Sequence, residues 1–403
     1  MFTLNSQQLD AVKKCVKWYF TQSYEKHYFA IGGVAGSGKS TVVNIIIKML
    51  GLSETDVIFC TLTGKASLVL RMKGNPSNTI HKTFYSVYKK GNSFLFSLKK
   101  RISSTIKLIV IDEVSMVTAK MLEDILGFGV PTICLGDHFQ LPAIGAINFI
   151  MANPDRYWDV FLTMVMRQKD TTGVSDLAFK SRNNELLEYG EYKKSKVCHL
   201  SEVYENLYKY DMVVCYSNIM RRKLNMVIRH QLGFDNTVYP QKGEKIVCLM
   251  NNYNYEMEYE DIPIYVVNGL IGICNTDTKI EQFGEMEVCN INFTPEFLVD
   301  KNTMGNLNFN VKSFAEIFEQ YTKDVEKQAF IEELCDNSID DEKLGLMCTI
   351  DFGYAATCHK LQGSEAKNVL VIVEDNIPSN IYFRWLYTAI TRAKETVTVA
   401  TVA

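Results

Sequence analysis

Gly33-Val34-Ala35-Gly36-Ser37-Gly38-Lys39-Ser40, set behind the apolar run Tyr28–Ile31 and ahead of Thr41–Leu50, leaves this chain few folds to choose from. The spacing GxxxxGK[ST] uses glycine to turn the backbone sharply and to let amide N–H groups approach an anion at the start of a helix. A strand, that turn and a helix together form the opening unit of a parallel α/β sheet. The pattern predicts a bound nucleoside triphosphate, cradled by Gly33, Gly36, Ser37, Gly38 and Thr41. Lys39 reaches the β and γ phosphates, and Ser40 offers its hydroxyl to Mg2+. A Gly-rich turn without a ligand would need neither flank.

A phosphate loop without an acid only binds. Leu108-Ile109-Val110-Ile111 reads as a buried parallel strand, and Asp112 and Glu113 leave its carboxyl end, where open α/β sheets place their ligands. Asp112 is the expected support for Mg2+, and Glu113 the group that orients or deprotonates an attacking water. Standing alone, two acids after a strand are also compatible with plain surface or a helix cap.

The order of motifs along nearly the whole chain resembles a superfamily 1 helicase of the RecD and Dda type. Leu4-Asn5-Ser6-Gln7-Gln8 resembles the family's Q motif, which implies that Gln8 reads the adenine edge of ATP. Leu62-Thr63-Gly64-Lys65-Ala66 and Thr79-Ile80-His81-Lys82-Thr83 resemble segments that touch single-stranded DNA, implying contacts from Thr63, Lys65, His81 and Lys82. Gly136-Asp137-His138-Phe139-Gln140 is similar to motif III, with Gln140 as the γ-phosphate sensor. Arg167, within Leu162–Gln168, and Arg392, within Leu386–Lys394, match the two arginine fingers. Thr357-Cys358-His359-Lys360-Leu361-Gln362-Gly363 resembles motif V, implying DNA contacts from His359 and Lys360 and a nucleotide contact at Gly363. Leu361 and Ala366 depart from that motif's commonest pattern.

The resemblance implies two RecA-like parallel-sheet motor domains. The first spans 1–165 and contains a β-hairpin insertion at about 85–105; the second is formed from 166–240 and 350–403. Residues 241–349 form an SH3-like β-rich insertion that guides the strand. Within the hairpin, Lys90–Ser93 make the turn and Phe94, Phe96 and Leu98 share a face by period-two alternation. Phe94 and Phe96 either part a duplex as a pin or anchor the hairpin to its domain. Lys312 to Cys335 has the periodicity of an amphipathic helix. The acidic cluster Glu256, Glu258, Glu260 and Asp261 reads as a solvated loop, not a metal site.

Composition narrows the function classes. At 403 residues the chain is too long for one core, and 47% hydrophobic with 22% charged residues suits a globular protein. No apolar run approaches the roughly 20 residues that cross a bilayer, which points to a cytoplasmic protein, and the resemblance implies a bacterial or phage-infected cell. Eleven cysteines without ligand spacing predict reduced, buried thiols. A net charge of −3 argues against broad electrostatic wrapping of nucleic acid, so a local basic groove is expected. Lys99, Lys100 and Arg101 either line that groove or form a solvated face.

These readings predict a monomeric ATP- and Mg2+-dependent helicase acting on single-stranded and forked DNA in the 5′ to 3′ direction, a polarity taken from the resemblance alone. A single-strand-binding protein or replication and recombination proteins are its expected company. A DNA-stimulated translocase that displaces proteins and a nucleotide-gated scaffold are the competing readings.

Overall fold

The computed structural model describes residues 4–90, 93–166, 171–234, 236–283, 286–301, 307–319, 321 and 346–402; the side chains of 87–90, 93–95, 286, 300 and 301 are outside that description. Short apolar runs with no polar alternation, such as Leu108–Ile111 and Thr132–Gly136, are buried on both faces and build parallel sheets. The first sheet runs Ser77–Thr79, Val57–Thr61, Leu108–Ile111, Thr132–Gly136, Tyr28–Gly33 and Val160–Leu162, each strand parallel to its neighbour. Its two faces are filled by separate apolar clusters, one around Trp18, Val42 and Ile46 and the other around Phe84, Leu122 and Ile150.

The second sheet runs Ala355–Thr357, Met212–Cys215, Ala366–Val373, Ala393–Thr401, Ser195–His199 and Gly190–Tyr192, with only the last strand antiparallel to its neighbour. We refer to the bodies built on these two sheets as the first and second lobes. Helix Tyr382–Ile390 packs on one face of the second sheet through Trp385, Leu386 and Ala389. Helix Asn218–Gln231 covers the other through Leu224 and Ile228.

A third, mostly antiparallel sheet of seven strands forms a β-rich body with a core around Phe293, Phe309, Phe318 and Phe352 that also takes in Leu68 of the first lobe. Two pairs of buried charges fasten it to helix Asn218–Gln231: Arg221 with Asp351, and Arg229 with Glu244 at 2.7 Å. Strand Ile350–Phe352 pairs with Lys245–Cys248 in this third sheet, and the chain enters the second sheet at Ala355.

The segment from Lys312 departs from the helical expectation. Phe309–Phe314 is a strand paired with Met286–Pro295, followed by a short helix at Glu316–Glu319, and 322–335 lie outside the described residues. Phe309, Val311 and Ser313 are buried while Asn310 is exposed and Lys312 only half-buried, so a period of two overrides the helical one. Tyr85–Lys90 and Ser93–Leu98 form an antiparallel ribbon, and a second ribbon joins Asn252–Tyr259 to Ile262–Val266. The ten described cysteines are buried and unpaired. Among the described residues no helix is long and apolar enough to cross a membrane, and no cluster of His, Cys, Asp and Glu could hold a metal ion.

Candidate active site and nucleic-acid face

Strand Tyr28–Gly33 lies inside the first sheet and delivers its carboxyl end to the turn that precedes helix Lys39–Met49. Gly38, at φ 84°, adopts the left-handed conformation that starts the helix, and a Cβ there would lie 2.6 Å from Gln8 Nε2. Gln8 buttresses the loop directly. Its Nε2 donates to the Ser37 carbonyl at 3.0 Å and its Oε1 accepts from Asn5 N–H at 3.1 Å. These bonds leave Gln8 one further amide N–H and one further lone pair with which to meet an adenine edge. Lys39 Nζ donates to the Gly33 carbonyl at 2.6 Å and to that of Val34 at 3.3 Å, filling with backbone oxygen the place an anion would take.

Asp112 and Glu113 follow Leu108–Ile111 as the sequence predicts, on the same edge as the phosphate loop. Glu113 is left-handed at φ 56° and ψ 47°, a costly conformation for a branchless non-glycine residue. Burial, and after it the Glu113 charge, push the Asp112 carboxyl up to about 6, opposed by Lys39. Ser40, Asp112 and Glu113 line one cleft of about 840 Å³ with Lys39, Thr41, Gln140, Gly363 and Arg392. Arg392 comes from the second lobe. Its guanidinium donates to the carbonyls of Thr388 at 2.9 Å and Ser364 at 3.2 Å and to Thr391 Oγ1 at 3.2 Å. Arg167 lies outside the described residues.

The cleft has the chemistry of a nucleotide site. Among the described residues Ser37 Oγ, Gln140 Oε1 and Ser364 Oγ are buried without a hydrogen-bond partner, and all three line it. Buried polar atoms are rarely left orphaned, so these are groups that a polar ligand or water would satisfy. Ser40 and Asp112 supply the hard oxygen donors that Mg2+ prefers.

The residues expected to touch DNA are more scattered. Thr63 caps helix Gly64–Met72 by accepting from Ala66 N–H at 3.2 Å. Lys65 is brought into the nucleotide cleft, where burial pushes its ammonium down to about 8 against the opposing pull of Glu296. Burial, and then Arg221, push Lys360 down to about 8 as well. The two lysine segments converge at Gly269 of the β-rich body: at φ 83°, its Cβ would meet Lys65 Cδ at 3.5 Å and the Lys360 carbonyl at 3.6 Å. Burial also lowers His359 and His81, which favours their neutral forms. The His81 ring lies 4.9 Å from that of Phe96, which is 52% exposed. The Phe94 side chain lies outside the described residues. Lys99 Nζ donates to the Lys82 and Thr83 carbonyls at 3.1 and 2.8 Å, closing the end of helix Ile80–Phe84.

Sequence reasoning missed a clasp between the first lobe and the second ribbon. Lys82 Nζ sits 4.7 Å from the Tyr253 ring centre and 4.8 Å from that of Tyr265. Arg71 lies 5.5 Å over Tyr265 and donates to the Pro263 carbonyl at 2.6 Å. Tyrosines spaced along Tyr253–Tyr265 were the only signal, and nothing local named their partners.

Comparison with known proteins bears on the whole constellation. A model of the AAA domain matches residues 3–201, and one of the UvrD-like helicase C-terminal domain matches 352–400, together more than half of the chain. The RecBCD enzyme subunit RecD of Buchnera aphidicola is 22% identical over 91% of this chain and 69% of its own. This chain belongs to the superfamily 1 helicases of the RecD and Pif1 kind. That class consists of ATP-hydrolysing P-loop enzymes. An uncharacterised protein of Methanocaldococcus jannaschii is 23% identical over 90% of this helicase, which spans 36% of that protein's length. The crystal structure of Bacteroides Pif1 bound to ssDNA has a TM-score of 0.55 at 16% identity, covering 99% of this helicase and 92% of that chain. At that identity the likeness is one of fold, with two RecA-like lobes.

Proposed function

We propose that this helicase couples ATP hydrolysis to 5′ to 3′ movement on single-stranded DNA and separates duplex at a fork. The observation that carries the reading is the single cleft: Lys39, Asp112, Glu113 and Gln140 enter it from the first lobe and Arg392 from the second. A charge that must be stabilised from both lobes makes turnover sensitive to their closure. Mg2+ held by Ser40 and Asp112 would neutralise developing phosphate charge. Lys39 would exchange the Gly33 and Val34 carbonyls for phosphate oxygens, Glu113 would orient the water, and Gln140 would accept from that water with its unpartnered Oε1. Arg392 and Arg167 would act as the fingers.

In this reading residues 1–165 form the first motor domain, 166–240 with 353–403 the second, and 241–352 an SH3-like guide for the strand, its end moved from 349 because Ile350–Phe352 pairs into the third sheet. Thr63, Lys65, His81, Lys82, His359 and Lys360 would face DNA along the line where the lobes meet the β-rich body. The protein would work as a cytoplasmic monomer alongside single-strand-binding, replication or recombination proteins.

The test is ATP-driven separation of a short duplex bearing a 5′ or a 3′ single-stranded tail, followed by fluorescence with a trap strand. Unwinding from the 5′ tail alone is expected; unwinding from the 3′ tail alone would overturn the polarity. The tilted contact of Phe96 with the His81 ring favours a second reading of the first ribbon, as an element anchored to its lobe. In that case DNA-stimulated ATPase without efficient unwinding would mark a translocase that displaces proteins.

A further inference from the structure

The second lobe grips the segment Asp137–Leu141 at three places. Leu141 N–H donates to Thr388 Oγ1 at 2.8 Å, Gln362 Nε2 donates to the Leu141 carbonyl at 3.0 Å, and the Tyr387 hydroxyl donates to Asp137 Oδ2 at 2.7 Å. The third contact reaches further. The same Tyr387 hydroxyl accepts from Ala35 N–H at 3.1 Å, inside the phosphate loop. One phenol thus bonds the loop that would hold the phosphates and the segment that ends in Gln140.

The choice of side chain follows from the partners. Ala35 N–H can only donate and an ionised Asp137 can only accept, so the group between them must do both. A lysine or arginine would leave the amide unmet, and a carboxylate would repel Asp137. The phenol does both from a rigid ring packed edge-to-face on Phe139, with centres 6.1 Å apart. Tyr387 is 2% exposed and Asp137 fully buried. Asp137 accepts with its other oxygen from Phe139 N–H at 3.1 Å, which fixes the carboxylate plane. Tyr387 also sits in helix Tyr382–Ile390, whose C-terminal end leads directly to Arg392.

We propose that Tyr387 is a positioning residue for hydrolysis: its hydroxyl ties the phosphate loop, the Asp137–Gln140 segment and the arginine-bearing helix into one unit. Arg392 is then held in register with the loop, and a change at the loop passes to Gln140 and to the second lobe through the same oxygen. The inference rests on the reading of the cleft as an ATPase site.

Tyr387→Phe keeps the ring and removes only the hydroxyl; Asp137→Ala removes the partner. Both variants, and the double variant, are assayed in the full chain for steady-state ATP hydrolysis with a thymidine homopolymer. Affinity for a fluorescent ADP analogue and thermal melting are measured on the same proteins. Each single variant is expected to lose about tenfold or more in kcat, with KM for ATP and analogue affinity within about threefold of the parent. The double variant is expected to be no slower than the slower single one, because groups that act as a unit are not additive. Full kcat in Tyr387→Phe would overturn the proposal. So would losses that multiply in the double variant, or analogue affinity that falls in step with kcat, since the hydroxyl would then serve nucleotide binding alone. If Asp137→Ala fails to fold, the kcat and affinity of Tyr387→Phe decide. The parent separates the two failures: a parent without turnover removes the ATPase reading itself, whereas an active parent matched by Tyr387→Phe removes only this inference.

Discussion

Lys39 spends its charge on the carbonyls of its own loop, and Arg392 on the carbonyls and hydroxyl of its own lobe, so each is preformed but not committed. Their losses should therefore differ in kind. Lys39→Ala is expected to abolish turnover and weaken nucleotide binding. Arg392→Ala should keep ATP binding and lose hydrolysis by roughly a thousandfold, the scale of arginine fingers, as equilibrium binding beside single-turnover kinetics would show. Retained turnover in Lys39→Ala would refute the site. A second residue-scale expectation concerns pH. Burial, then Arg384, push His138 down to about 4, although Asp155 opposes them. The folded protein thus keeps this imidazole neutral below the ordinary value of about 6.5, while the unfolded chain takes up a proton. Stability should fall as pH drops from about 6.5 towards 4 and be unaffected by His138 above that window. Melting temperatures between pH 7 and pH 5 should decline less steeply in His138→Gln than in the parent.

At the scale of elements, what the sequence made legible was whatever is decided within a few neighbouring residues. The strand–loop–helix unit at Tyr28–Met49 and the acids behind Leu108–Ile111 are local statements, in which glycine, apolar runs and acids specify backbone and burial together. The stretch from Lys312 was not legible, because its pairing partner Met286–Pro295 decides between a period of 3.6 and one of 2. Nor could local reading place Lys65, whose surroundings depend on Glu296 and Gly269 far along the chain. The Tyr387 hydroxyl bonds residues 352 and 250 positions away in the chain, Ala35 and Asp137, which no local pattern could connect. The first ribbon carries its own prediction. If its aromatics part the duplex, Phe94→Ala with Phe96→Ala should cut unwinding at least tenfold more than DNA-stimulated ATPase, the order expected when a group acts only in one step. Because Phe96 rests on His81, a parallel loss of both activities, accompanied by a lower melting temperature, is the signature of an anchor instead.

Across the whole molecule, the β-rich body is held to the two lobes by contacts of different strength. Towards the second lobe it is fixed by Arg221 with Asp351 and by Arg229 with Glu244, all nearly inaccessible to water. Removing one partner of such a pair costs about 3–5 kcal/mol, so Asp351→Ala should lower the melting temperature by several degrees or more in a calorimetric scan. Towards the first lobe it is held by Lys82 and Arg71 over the rings of Tyr253 and Tyr265, contacts worth about 0.5–2 kcal/mol each, and by Leu68, whose side chain is buried in its core. When the lobes part, the clasp should yield while the ion pairs hold. Fluorophores on the β-rich body and the second lobe should keep a constant separation through the ATP cycle, whereas a pair spanning the body and the first lobe should change. A variable distance in the first pair would contradict this. Mechanically, the proposed motor would then have a single joint: the β-rich body would be cargo bolted to one of two jaws, and its excursion along a bound strand would be geared to the same stroke that opens the cleft.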